Sequence, residues 1–134
     1  MENLNIQTSP FQLKFQRIKK IDFNLNESLE ADKALNIQAN INIKKNEEKL
    51  IAVVELIFFI NKDNDSAKIN AIIINEGIFE WDKNLDNLET YLKVNAPAVL
   101  FSQIRTLFST LTLAAGIPNM NIPLINFDNT DNSK

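Results

Sequence analysis

The segment IAVVELIFFI (Ile51–Ile60) limits the possible folds more than any other stretch, because it carries a single charge, Glu55. A half-buried strand alternates apolar and polar side chains, and this one does not. With the preceding Leu50, Ala52, Val54, Leu56, Phe58 and Ile60 form one apolar face, while Ile51, Val53, Ile57 and Phe59 form a second, interrupted only by Glu55. Each large apolar side chain left bare forfeits about 1.5–3 kcal/mol of burial, and a bare patch of this kind invites association. Both faces therefore call for cover, permanent or transient.

Three further segments read as strands. In residues 11–26, Phe11, Leu13 and Phe15 share a parity with Ile21, Phe23 and Leu25. Arg17 and Lys19 interrupt that face, which predicts a bend or bulge near Ile18. Residues 35–43 alternate cleanly: Leu35, Ile37, Ala39, Ile41 and Ile43 against Asn36, Gln38, Asn40 and Asn42. Residues 67–81 form the fourth strand and close on EGIFEW, where Gly77 marks a bulge or a change of direction. The connections are polar: residues 26–33, the charged turn 44–49, and NKDNDS at 61–66. Four consecutive strands with such turns predict an antiparallel meander, a sheet that usually keeps one face on the core and one in water. The third strand breaks that rule.

The rest is helical. Leu85, Leu88, Tyr91 and Leu92 predict a short helix over 85–94. A long one follows over 97–115, about 28 Å at 1.5 Å per residue, with Asn95 as N-cap, Pro97 in the first turn, and Gly116 and Pro118 at its end. Leu100, Ile104, Leu107, Leu111 and Ala114 form its stripe toward the sheet, widened by Phe101 and Phe108. The opposite face holds Ser102, Gln103, Thr106, Ser109, Thr110 and Leu113, and Arg105 is the helix's only charge. Small hydroxyl side chains suit the close approach of a second helix, so a second copy of the chain is the expected cover. The fold class is α+β: a four-stranded antiparallel sheet followed by a long helix packed on it. At 134 residues the chain forms one domain, residues 11–127, between a flexible N-terminal segment 1–10 and a disordered polar tail 128–134.

Composition removes most chemistry. Cysteine and histidine are both absent, which excludes disulfides, thiolate nucleophiles, imidazole bases and nearly all zinc sites. With two glycines there is no phosphate-cradling loop. Glu76 and Glu80 lack the further oxygen ligands a metal site needs, so no catalytic residue, metal or cofactor is expected. A net charge of −3 argues against nucleic acid, and Lys14, Arg17, Lys19 and Lys20 read as the solvated part of a strand. Residues 50–60 are too short to span a membrane, and MENLNIQTSP lacks the pattern of a signal peptide, so a cytoplasmic setting is expected. Glu55 could serve as a buried general acid. The stronger reading is an ion pair, or a charge that guards a sticky strand. A small thioesterase-like enzyme is the catalytic alternative, although that fold places its helix among its strands. An adaptor buried in a partner is the other.

The stretch APAVLFSQIRTLFSTLTLAAGIPNMNIPLINF resembles the C-terminal signature of the SecB protein-export chaperone family, through Pro97, Leu100, Phe101, Arg105, Gly116, Pro118, Pro123, Asn126 and Phe127. FQRIKKIDFNLN and EGIFEW are similar to family segments too. The resemblance implies a sheet crossed by a long helix, dimers paired sheet edge to sheet edge, and a dimer of dimers joined through the helices. It implies an ATP-independent holdase that binds unfolded polypeptide clients in apolar grooves, for export with a secretion ATPase or for one toxin–antitoxin pair. On that reading Ile51, Val53, Ile57 and Phe59 form the client surface, with Phe79 and Trp81 at its rim; interior packing is the competing role for each. Ser102, Gln103, Thr106, Ser109, Thr110 and Leu113 form the subunit contact. Three departures stand out. Ser102 replaces a proline usual in the family, DNTDNSK after Phe127 does not match the family's second helix, and Ile72 stands where an acidic contact for the motor's zinc-binding tail is expected.

Overall fold

Alternating patterns and polar turns produce four strands: β1 (Phe11–Leu25), β2 (Ile37–Asn46), β3 (Ile51–Ile60) and β4 (Ile69–Trp81). The computed structural model describes residues 1–27, 35–117 and 122–128. All pairings are antiparallel, in the order β1-β4-β3-β2. The meander expected of all four strands thus holds for β2, β3 and β4, while β1 lies beside β4 on the opposite edge from β2. Side-chain chemistry accounts for the order. β3 and β4 are apolar on both faces and take the two central places, and the polar-faced β1 and β2 take the edges. Asn61, buried and left-handed at φ 54°, organises the β3–β4 connection. Its Nδ2 donates to the Ile69 carbonyl (2.8 Å) and its Oδ1 accepts from the Asn36 amide (3.0 Å).

β1 carries two register shifts, between Leu13 and Phe15 and between Ile18 and Lys20. The second is the bulge expected near Ile18. The first corrects the reading of Phe15: Leu13 pairs with Phe79 on the helix-covered face, but Phe15 pairs with Ile78 on the other face and is exposed. Gly77 marks no bulge of its own strand. It lies beneath the helix, where a Cβ would meet Phe79 Cε2 at 2.9 Å, Leu100 Cδ2 at 3.0 Å and Leu13 Cδ1 at 3.1 Å.

The helices run together: α1 (Leu88–Thr90), a π-helical turn (Tyr91–Asn95) and α2 (Ala96–Ala114). Asn95 is no N-cap, because it has helical dihedrals (φ −71°, ψ −46°) and the chain passes through it without a break. Pro97 supplies the reason for the π turn. Proline lacks the N–H and its ring crowds the carbonyl four residues back, and the widened turn before it lets the Ala96 amide bond to Tyr91 instead. Gly116 ends α2 at φ 75°, with the Gly116 amide on the Leu113 carbonyl (3.1 Å) and the Ile117 amide on that of Thr112 (2.8 Å). Pro118, residues 28–33 of the first connection, and the tail beyond Asp128 lie outside the described residues. Residues 1–9 are exposed and carry no regular structure.

One apolar core forms between α2 and one face of the sheet. Ala52, Val54, Leu56, Phe58 and Ile60 of β3 meet Leu100, Phe101, Ile104 and Phe108 of α2 there. The helix stripe differs from expectation at its end: Ala114 is exposed, and Thr112 is buried with its hydroxyl donating to the Phe108 carbonyl (3.1 Å). Phe101 lies between Phe58 and Phe127, at 5.3 and 5.7 Å between ring centroids. Phe127 and Ile122 thereby fold the segment after the helix back onto it, and Arg105 Nε donates to the Ile122 carbonyl (3.1 Å).

Candidate functional site

Strand parity sends the second apolar face of β3 away from the helix. Ile51, Val53, Ile57 and Phe59 are each half-buried, on the face of the sheet that α2 does not cover. Register extends this face into β4, where Val53 pairs with Ile78, Ile57 with Ile74 and Phe59 with Ile72. These three isoleucines are half-buried too, and Phe15 adds an exposed ring beside Ile78. Gln38, Asn40, Asn42, Lys44 and Asn46 of β2 form the polar border on one side.

Phe79 and Trp81 are not at its rim. They have the parity of Ile73 and sit buried on the helix side, Phe79 stacked on Phe11 at 5.0 Å. Phe15, Ile72, Ile74 and Ile78 are the members that sequence reasoning missed. The signal was present in the shared parity of Ile72, Ile74 and Ile78, but only the β3–β4 register joins them to Ile57 and Phe59.

A strip of charge divides the face. Glu55 pairs directly with Glu76 across β3 and β4, an arrangement that repels unless cations intervene. Lys19 Nζ lies 2.7 Å from Glu55 and 3.5 Å from Glu76, and Arg17 Nε lies 3.0 Å from Glu76. The bulge after Ile18 is what turns Lys19 onto this face. Its ammonium is held above the ordinary lysine value, first by the hydrogen bond to Glu55, with desolvation opposing and the charges of Glu55 and Glu76 adding. Glu55 is thus ion-paired, as the stronger of its two readings expected. Beyond Phe59 a shallow recess lined by Asp22, Lys62, Asp63, Asn70 and Ile72 ends the face, with Lys62 Nζ 4.5 Å from the Phe59 ring centre.

On the far side of the molecule, Ser102, Thr106, Ser109, Thr110 and Leu113 of α2 are exposed. Gln103 is half-buried and turned toward the sheet, its Oε1 accepting from Asn75 Nδ2 (2.8 Å). Among the described residues no group of acidic side chains could hold a metal ion, and no helix is long and apolar enough to cross a membrane.

An antiparallel sheet closed on one face by a following helix and apolar on the other defines an α+β protein of the SecB-like fold. It superposes on the Mycobacterium tuberculosis SecB-like chaperone Rv1957, solved with a ChAD peptide from the Rv1956 HigA1 antitoxin, with a TM-score of 0.68. That match has 14% identity and covers 87% of this chain and 91% of the other. The chain belongs to the SecB family, described as preprotein translocase subunit SecB, which it matches over residues 5–131. An uncharacterized protein of Methanocaldococcus jannaschii is 32% identical over 122 residues, 85% of this chain and 79% of that one. A Streptococcus agalactiae protein of unknown function shares the fold with a TM-score of 0.52 and 15% identity, over 85% of this chain and 97% of the other.

Proposed function

We propose that this chain is an ATP-independent holdase chaperone of the cytoplasm that captures extended apolar segments of unfolded polypeptides and performs no catalysis. The observation that carries this reading is the open sheet face, on which half-buried Ile51, Val53, Ile57 and Phe59 join Ile72, Ile74 and Ile78 on the side of the sheet away from α2. Transient burial of such side chains is worth about 1.5–3 kcal/mol each when complete, enough for several together to hold an unfolded client without nucleotide. The peptide bound by the mycobacterial SecB-like chaperone supports a polypeptide ligand. It also favours the second reading, a chaperone dedicated to a single partner such as a toxin–antitoxin pair. Ile72, apolar where the resemblance implies an acidic contact, favours work apart from the secretion ATPase. The thioesterase alternative has no support, because the long helix follows all four strands.

The assembly that fits this reading is a dimer of dimers in which Ser102, Thr106, Ser109, Thr110 and Leu113 meet a second copy. Gln103 contributes less, being held by Asn75. The functional test is light scattering from a chemically unfolded client diluted into buffer without nucleotide. A few-fold excess of the chain should suppress aggregation. Failure with several unrelated clients would favour the dedicated reading.

A further inference from the structure

We propose that the open face is selective, and that it takes an extended segment in which an acidic residue is flanked by apolar ones, in the order apolar–x–acidic–x–apolar–x–apolar. The inference rests on the holdase reading and adds to it a class of client.

Register lays the face out in rows. Phe15, Ile78 and Val53 make one apolar row; Arg17, Glu76 and Glu55 make the next. Lys20, Ile74 and Ile57, then Asp22, Ile72 and Phe59, make the next two rows, apolar on β4 and β3 and charged at the β1 edge. Successive rows are two residues apart, about 7 Å along the strands. A segment lying on the sheet as a second layer packs about 10 Å away, nearly aligned, and points every other side chain down. Its downward side chains therefore repeat at the same interval as the rows. One apolar contact, one polar contact and two apolar contacts follow in sequence.

The sign of the polar contact follows from which charges reach solvent. The side chains of Glu76 and Glu55 are only 16% and 18% exposed, while Arg17 and Lys19 above them are 59% and 38% exposed. The carboxylates are thus covered by the cations that neutralise them. Lys44, beside Val53, and Lys20, beside Ile74, are exposed and border the strip in the adjoining rows. Asp22 and Glu80 stand two rows away, toward the ends of the face. A client meets a cationic middle between apolar flanks, which welcomes Asp or Glu and repels Lys or Arg. The same strip disfavours a second copy as the occupant, since an isologous contact would set cations against cations.

The test uses three end-labelled peptides, Ser-Leu-Ser-Asp-Ser-Leu-Ser-Phe-Ser and its versions with Asn or Lys for Asp, with binding read by fluorescence anisotropy. At low ionic strength the Asp peptide should bind roughly tenfold tighter than the Lys peptide, with Asn between. About 0.5 M salt should shrink the difference. Arg17→Glu should reverse the order. Arg17→Gln, a milder change, should narrow it with the far-ultraviolet circular dichroism unaltered. Equal binding of the Asp and Lys peptides would overturn the selectivity and leave the holdase reading standing. Failure of all three to bind would overturn it as well, and the holdase reading would then be judged by the scattering assay alone.

Discussion

Asn75 in the middle of β4 donates from Nδ2 to the carbonyl oxygen of Leu100 at 3.0 Å, and neither side chain is accessible to solvent. Asn75 is a polar pin in a mostly apolar layer. The same Nδ2 donates to Gln103 Oε1 (2.8 Å), and Oδ1 accepts from Gln16 Nε2 (2.7 Å), so a single amide ties β1 and β4 to α2. Asn75→Leu keeps the branching and the number of side-chain heavy atoms but leaves both glutamine amides without this partner. It should cost about 1–3 kcal/mol, seen as a lower midpoint in urea with an unchanged slope. An unaltered midpoint would mean that the network contributes nothing to stability.

Two residues further along β4, Gly77 sets the height of the helix over the sheet. Gly77→Ala puts a methyl group against Phe79, Leu100 and Leu13 together. All three are side-chain atoms, so the site yields by repacking, at about 1–3 kcal/mol. Thermal unfolding followed by circular dichroism checks this, and no loss would show that α2 can lift freely.

What could be read from the sequence divides along the line between local and long-range information. The strands, the turns joining β2, β3 and β4, and the helix stop at Gly116 follow from alternation and punctuation, and all are legible. β3 is apolar at every position but one, so the sequence alone could not say which parity the helix would cover. Phe79 and Trp81 take the competing role of interior packing and not the rim, because which parity of β4 meets the helix is set by long-range packing. The place of β1 beside β4 was hidden for the same reason: pairing partners far apart in sequence leave no local trace. Asn95 was misread because a proline two residues on signals a helix start, whereas here the helix widens into a π turn and continues. The site was visible as excess apolar surface, and the charged strip that divides it was not, because Arg17 and Lys19 reach Glu55 and Glu76 only through the bulges of β1.

The ion pair between Lys45 of β2 and Glu89 of α1 ties the edge strand to the helix. Its hydrogen bond from Lys45 holds the Glu89 carboxyl below the ordinary glutamate value, with desolvation opposing and the charges of Lys45 and Lys93 helping. Because the folded pKa is depressed, the pair's contribution is present above the unfolded value of about 4.3. It is lost as pH falls through the folded one. Carboxyl NMR titration should show Glu89 titrating below the ordinary glutamate value, and Lys45→Met should move it back toward that value. A Glu89 titration that ignores Lys45→Met would contradict the pair.

Ser109 stands exposed on the outer face of α2, where close helix approach is the proposed subunit contact. Ser109→Glu places a charge there without touching the core. Light scattering coupled to size exclusion should show an assembly larger than one chain, and the substitution should reduce its mass. A mass that does not change with Ser109→Glu would remove this face from the assembly.

The central claim, that the sheet face away from the helix holds the client, is tested most directly by methyl NMR of the isoleucine-labelled chain. An unfolded client is added without nucleotide. The resonances of Ile51, Ile57, Ile72, Ile74 and Ile78 should shift or broaden, while Ile73 and Ile104, buried between sheet and helix, stay in place. Perturbation confined to residues outside the open face, with Ile57 and Ile74 unmoved at saturating client, would contradict the account.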